Sequence, residues 1–361
     1  MSQMNTVLIA GASGVVGRAA LETFSAAPGW RAVGLSRRAP DTSHGEHVEL
    51  DLTDPATCAR VTAAYPETTH VVYAALYEKP GLIAGWREPD QMQTNLDMLR
   101  NLLEPLQLNA PGLRHISLLQ GTKAYGAHVQ PMRVPGKERE PRVEHDNFYW
   151  LQEDWLTAQQ ATAAWTYTIW RPPVILGHAL GAPMNLIAVI GACASLAKAT
   201  GEAFGWPGGP GGPMDVVDAN LLARALFWAT GTDAAINETF NISNGDVMRW
   251  ENAWSTVARS FDLPTADPVP QSVAAYLEAK AERWRELATT HGLAVADLQA
   301  LLGDSTIYAD VIWNTAGSAP PPSTLLSTIK LRQAGFGECT DSEDVILNWL
   351  KILQKKRILP H

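Results

Sequence analysis

The stretch "TVLIAGASGVVGRAALETF" (residues 6–24) constrains this chain more than any other. A short apolar, β-branched run stops at Gly11, and Gly14 and Gly17 follow at three-residue spacing. Helix-forming residues then run from about Val15 to Ala26. An apolar run of this length ending in glycine reads as a strand buried on both faces, as in a parallel sheet. The first glycine permits a tight turn, the second lets a ligand approach the backbone, and the third lets helix and strand pack closely. The amides that open the helix have no partner within it, and they lie at its positive dipole end. Gly11, Ser13, Gly14, Val15, Val16 and Gly17 therefore form a candidate cradle for the pyrophosphate of a dinucleotide.

The same rhythm recurs. "RAVGLS", "HVELDL", "HVVYAA", "LRHISLL" and "TYTIWRP" are each separated by helical sequence. Strands alternating with helices predict an α/β Rossmann fold, a doubly wound parallel sheet whose strands end on one ligand-binding edge. The pattern changes after Pro172: "GWPGGPGGPMD" (205–215) suits an ordered loop or a mobile lid, and "ETFNISNGD" (238–246) one more strand and turn. Helical sequence dominates from Trp250. The expectation is a cofactor-binding domain over 1–172 with a returning segment at about 215–245. A smaller, mainly helical substrate-binding lobe would take 173–214 and 246–361.

Strand ends narrow the cofactor. Where an NAD-specific fold commonly places an acid for the ribose hydroxyl, this chain has Ser36, Arg37 and Arg38. Guanidinium groups pair with a 2′-phosphate that an acid would repel, so NADPH is expected. Asp51 and Leu52, closing the third strand, are placed to meet the adenine. Ala74 and Ala75, closing the fourth, let the cofactor pass near the backbone. Val174, just beyond "TYTIWRP", is assigned to the same site.

Tyr149, in "DNFYWLQEDW", stands where a short-chain dehydrogenase keeps its catalytic tyrosine. The lysine such an enzyme carries one helical turn later is replaced by Glu153. Lys123, in "GTKAYG" just past the fifth strand, lies on the same edge of the sheet and can take over that role. Packing alone would also explain a tyrosine between Phe148 and Trp150, and Glu153 and Asp154 suit a solvated helix face. Asn147 or Asp146 would cap the helix. The histidines lack ligand spacing, so no metal is expected. Trp206 and Trp313 suit either an apolar pocket or a structural role.

The net charge of −9 argues against nucleic-acid partners and anionic membranes, which demand a basic face. "PMNLIAVIGACASLAKATG" is too short and too rich in small residues for a membrane span. Three widely spaced cysteines give no disulfide framework, and residues 1–14 show no signal-peptide pattern. A cytoplasmic protein is expected.

Four segments, "LLQGTKAYG", "DNFYWLQED", "RPPVILGHALGAPMNLI" and "FNISNGDVMRW", resemble the progesterone 5β-reductase/iridoid synthase-like (PRISE) family of extended short-chain dehydrogenases/reductases. Their order and spacing match along most of the chain. The resemblance implies NADPH-dependent reduction of activated C=C bonds in enones or enals, with Lys123 and Tyr149 in the catalytic positions. It also implies glycine at 121, where many relatives carry a hydroxyl residue. Ala124 and the stretch Gly126–Val129 depart from the family pattern beside the pocket, which bears on the substrate more than on the reaction. A small apolar enone is the expected substrate, and relatives of this architecture make a homodimer plausible. Two other readings stay open: carbonyl reduction by the same Tyr–Lys pair, and a non-catalytic NADP-binding sensor.

Overall fold

The apolar runs fold as strands in the computed structural model, which describes residues 4–361. Along the chain come β1 (Asn5–Ala10), α1 (Val15–Ala26), β2 (Trp30–Ser36), β3 (Glu46–Glu49), α2 (Pro55–Ala63), β4 (Thr68–Tyr73), α3 (Pro89–Asn109), β5 (His115–Leu119), α4 (Phe148–Gln160) and β6 (Thr166–Arg171). They continue with β7 (Val174–Leu176), α5 (Leu186–Thr200), β8 (Phe204–Gly205), β9 (Val216–Asp218), α6 (Ala219–Ala229), β10 (Glu238–Asn241) and α7 (Trp250–Ser260). Seven strands pair in the order β10-β6-β5-β4-β1-β2-β3, every pair parallel. The order reverses between β1 and β4, so the crevice beyond their carboxyl ends is where such a sheet binds ligands. This is the doubly wound fold expected from the sequence.

Two compact units divide the chain. The first comprises Met1–Pro173, Ala219–Ser243 and Leu326–Glu338 and holds the seven-stranded sheet. On one face, Leu99, Leu102, Leu103 and Leu106 of α3 pack with Leu8, Val33, Val71 and Ile116, all essentially inaccessible to solvent. Each such side chain contributes roughly 1.5–3 kcal/mol of burial free energy. On the other face α1 meets α6, where the rings of Phe24 and Phe227 lie 5.3 Å apart. Asp54 accepts from the amides of Ala56 and Thr57 to cap α2, whose first residue is Pro55.

The second unit comprises Val174–Asp218, Asn244–Leu325 and Cys339–His361. Here α5 is buried from Leu186 through Ala197. A helix apolar on all sides belongs inside a protein core, which is where this stretch sits. Gly191 lets Leu359 pack close, since a Cβ would fall 2.2 Å from Leu359 Cδ1 and push that side chain away. The glycine-proline loop is pinned: Gly209 N donates to Trp313 O, and Trp206 packs on Trp254 and Trp313. Trp206 and Trp313 are thus buried members of one aromatic cluster with Phe204, Trp250 and Trp254.

Two boundaries differ from the sequence reading. Residues 215–218 stay with the second unit, because β9 pairs with β7. Leu326–Glu338 joins the first, because its short helix Ile329–Gln333 covers the edge strand β10. Lys330 Nζ donates to Thr239 O, and Asn241 Nδ2 donates to Ser327 O. Covering an edge strand keeps it from pairing with another chain, and a segment remote in sequence does so here.

Candidate active site at the carboxyl edge of the sheet

The turn after β1 is built as its glycines require. Gly11 has φ 82°, and a Cβ there would fall 2.7 Å from Ala74 O, so the turn lies directly against the end of β4. Gly11 N and Ala12 N both donate to Leu35 O of β2. A Cβ on Gly17 would sit 2.2 Å from Gly11 O, so α1 packs on the turn at main-chain distance. No side chain caps α1 at Gly14, which leaves its opening amides and positive dipole end for a ligand. Ser13 and Val15 are partly accessible beside them, whereas Val16 is buried against the fold. This cradle fits a pyrophosphate. Arg18, not singled out in the sequence, is buried in the same motif and pairs with Asp41 (2.6 Å) and Glu22 (2.8 Å).

Ser36 is buried, its Oγ donating to Arg38 O at 2.7 Å, while Arg37 and Arg38 are exposed at the tip of β2. Asp51 accepts from Thr53 N and Oγ1, and these bonds with nearby Arg37 hold its carboxyl below the usual range. Leu52 is buried in the core cluster and serves packing; of the pair, Asp51 is the accessible one. Ala74 and Ala75 are partly accessible past β4. All these residues lie in the first unit, whereas Val174 opens the second as the first residue of β7.

Lys123 sits in a single 3₁₀ turn, Thr122–Tyr125, immediately beyond β5. Tyr149 lies in the first turn of α4 and is 9 % exposed. One side chain ties the two positions together. Asn147 Nδ2 donates to Lys123 O at 2.8 Å, and Asn147 Oδ1 accepts from Tyr149 N at 3.0 Å as the helix cap. A Cβ on Gly121 would stand 3.4 Å from Tyr149 Oη, which places the phenol over the residue two before Lys123.

Lys123 Nζ lies 3.5 Å from the centre of the Trp86 ring and 3.6 Å from Glu78 Oε1. Burial pushes its pKa down to about 8, with the Glu78 carboxylate opposing the fall. Burial likewise raises Glu78, and Lys123, Gln91 and Trp86 oppose that rise. At neutral pH the lysine is still charged in its majority form, beside an aromatic face and an acid.

Glu153, where the conventional lysine would stand, is not a solvated surface residue. Its Oε2 accepts from Gln120 Nε2 (2.9 Å) and pairs with Arg171 (3.1 Å), while Oε1 pairs with Arg142 (2.9 Å). Arg171 is 5 % exposed, so the carboxylate compensates a buried charge. Asp154 does lie on the open face, with its side chain 63 % exposed. Glu78, Trp86 and Gln91 escape a reading of local motifs. The usable signal was position: a loop following β4 must emerge on the same sheet edge as the end of β5.

No helix among the described residues is long and apolar enough to cross a membrane. Among them no group of three or more His, Cys, Asp or Glu residues could hold a metal ion.

A family model described as a PRISE-like Rossmann-fold domain matches residues 81–303, more than half of the chain. An (S)-8-oxocitronellyl enol synthase of Nepeta cataria is 28% identical, over 99% of this chain and 92% of that protein. A 3-oxo-Delta(4,5)-steroid 5-beta-reductase of Arabidopsis thaliana is 27% identical, over 99% of this chain and 93% of that protein. Among solved structures, a UDP-glucose 4-epimerase from Thermotoga maritima superposes with a TM-score of 0.67 at 16% identity, covering 97% of this chain and 99% of that one. That last likeness is one of fold alone.

Proposed function

The chain belongs to the PRISE-like Rossmann-fold family, and from that premise we propose that it is an NADPH-dependent reductase of C=C bonds conjugated to a carbonyl. The observation that carries the reading is Lys123 and Tyr149 held by one asparagine on the sheet edge that also bears the glycine cradle. The names of the relatives support it. A 3-oxo-Δ(4,5) reductase acts on an enone, and an enol synthase is named for an enol product.

The amides opening α1 would hold the pyrophosphate, and Arg37 and Arg38 the 2′-phosphate. When bound, the reduced nicotinamide supplies the hydride that reaches the β-carbon. Negative charge then grows on the carbonyl oxygen, and Tyr149 Oη donates a hydrogen bond to it from a largely buried position. Lys123 adds positive charge beside that hydroxyl and holds it ready to donate. The α-carbon takes its proton from solvent, so no second acid is needed.

The test is cofactor oxidation by the purified protein with a small cyclic enone and, separately, its saturated ketone, with products identified by NMR. Turnover of the enone alone, giving the saturated ketone, is expected. Consumption of the saturated ketone, or an allylic alcohol product, would replace this reading with carbonyl reduction. Tight cofactor binding without any turnover would point to a sensor.

A further inference from the structure

The loop after β4 contains a carboxylate with no assigned role. Glu78 has only 6 % of its side chain exposed, yet it is not left to solvent or to chance. Gln91 Nε2 donates to its Oε2 at 2.7 Å, and Trp86 Nε1 donates to its Oε1 at 3.2 Å. Gln91 is itself 1 % exposed and accepts from Lys79 N at 2.9 Å, so it closes the loop back on its own start. Gly85 leaves room for this arrangement: a Cβ there would fall 2.1 Å from Gln91 Oε1 and displace the amide. Leu82, fully buried, is held at φ 57° in the left-handed region, a conformation costing roughly 1–3 kcal/mol that the surrounding contacts must impose. The strained loop delivers two groups to one cation: the Glu78 carboxylate and the Trp86 ring, both against Lys123.

We propose that Glu78 is a positioning residue for Lys123, its carboxylate anchored by Gln91 and Trp86 so that the ammonium is held against the Trp86 face beside Tyr149. The inference rests on the enone-reductase reading and adds to it the group that keeps the lysine in its working state. Besides Glu78, the titratable groups around Lys123 include Tyr125 of its own turn, His128, which feels the lysine's charge, His145 with its ring 5.0 Å from that of His128, Arg87 beside His128, Lys79 paired with Glu88 and Asp90, and Tyr149 on α4. His128 is pushed down to about 4, chiefly by burial, and so stays neutral above that pH. Glu78 is then the group that offsets desolvation of the lysine. Its loss lets the lysine release its proton at lower pH.

Two readouts on the full chain test this. Competitive acetylation of Lys123 across pH 6–10, read by mass spectrometry, follows its protonation without needing turnover. Glu78→Gln is expected to move the midpoint down by about one pH unit or more, and Glu78→Asp to bring it back toward wild type. In the pH–rate profile for the cyclic enone, the basic limb should move acidward by the same amount. The loss would be on the order of tenfold at pH 8.5 and small at pH 6.5. An unmoved midpoint in Glu78→Gln overturns the inference, as does a loss of rate equal at every pH, which would mark a structural role. Should Glu78→Gln fail to fold, Gln91→Met, which removes the donor to Glu78 Oε2, carries the test: its midpoint should fall below wild type, and a wild-type midpoint and profile there would overturn the inference. Wild-type protein that never reduces the enone would remove the proposed function, while the acetylation midpoints would still decide the role of Glu78.

Discussion

Replacing Gly17 with alanine isolates what the glycine cradle does. The added methyl would stand 2.2 Å from Gly11 O, 2.6 Å from Gly11 C and 2.8 Å from Ala12 Cα. Ordinary contact needs about 3.4 Å, so α1 must retreat from the turn by roughly 1 Å, and no rotamer change can help because every neighbour is main chain. Overpacking of this kind costs about 1–3 kcal/mol, and rigid partners put Gly17→Ala at the upper end. For a chain of 361 residues the upper end is a fall in Tm of about 4 °C. The same retreat draws the opening amides of α1 away from the pyrophosphate. Hydrogen bonds to a charged group contribute about 1.5–3 kcal/mol each, so weakening two should raise the Kd for NADPH on the order of a hundredfold. Scanning calorimetry and a titration of cofactor fluorescence measure the two effects. Gly14→Ala is the control, because its methyl would meet only Gly11 O, at 3.3 Å. Its Tm should stay within about 2 °C of wild type. Gly17→Ala with wild-type Tm and wild-type NADPH affinity would refute the close-packing argument.

Tyr149→Phe should lower kcat for the enone about a hundred- to a thousandfold, or about 2.7–4 kcal/mol, while the Kd for NADPH changes little. Stopped-flow single turnovers showing an unchanged rate would take Tyr149 out of the chemistry. The double variant Arg37→Ala with Arg38→Ala should weaken NADPH at least tenfold more than NADH; equal losses by calorimetric titration would undo the 2′-phosphate assignment. Acid stability follows from His70 and His115, pushed down by burial to about 3 and about 4. Because their folded values lie below the unfolded one, their contribution is complete above pH 6.5. It is lost as pH falls toward 4, as the unfolded chain takes up protons first. Between pH 6.5 and pH 5 each should cost about 2 kcal/mol, and His115→Gln should flatten the slope of urea stability against pH. A slope identical to wild type would show that His115 does not carry it.

Local chemistry made much of this molecule legible. The glycine spacing placed α1 at Val15–Ala26, the bounds found, because a turn, a close approach and a tight packing contact leave little choice of residue. Asn147 was readable as a cap, and the cap geometry links it to Tyr149. What the sequence hid was partnership across long separations. Glu153 looked solvated because two acids near the middle of a helix usually are, and nothing local reveals that Arg171, on the next strand, needs its charge. Glu78 sits beside Lys79 in a polar loop, where a charged pair reads as surface; Lys79 in fact turns to Glu88 and Asp90. Leu326–Glu338 carries no mark of the strand it covers, because edge protection depends on topology rather than on the protecting residues.

The ion cluster at Glu153 also fixes how this active site can change over evolutionary time. A lysine introduced at position 153 would face Arg171 and Arg142 at the distances the carboxylate now spans, 3.1 and 2.9 Å. Three cations would then share the single carboxylate of Asp154, which pairs with Arg142, and the buried Arg171 would lose its ion-pair partner Glu153. A lysine one helical turn past the tyrosine therefore requires a change at Arg171 as well as at Glu153. A library that varies residue 153 alone should recover few folded members with a basic side chain there, because Arg171 stays buried beside it.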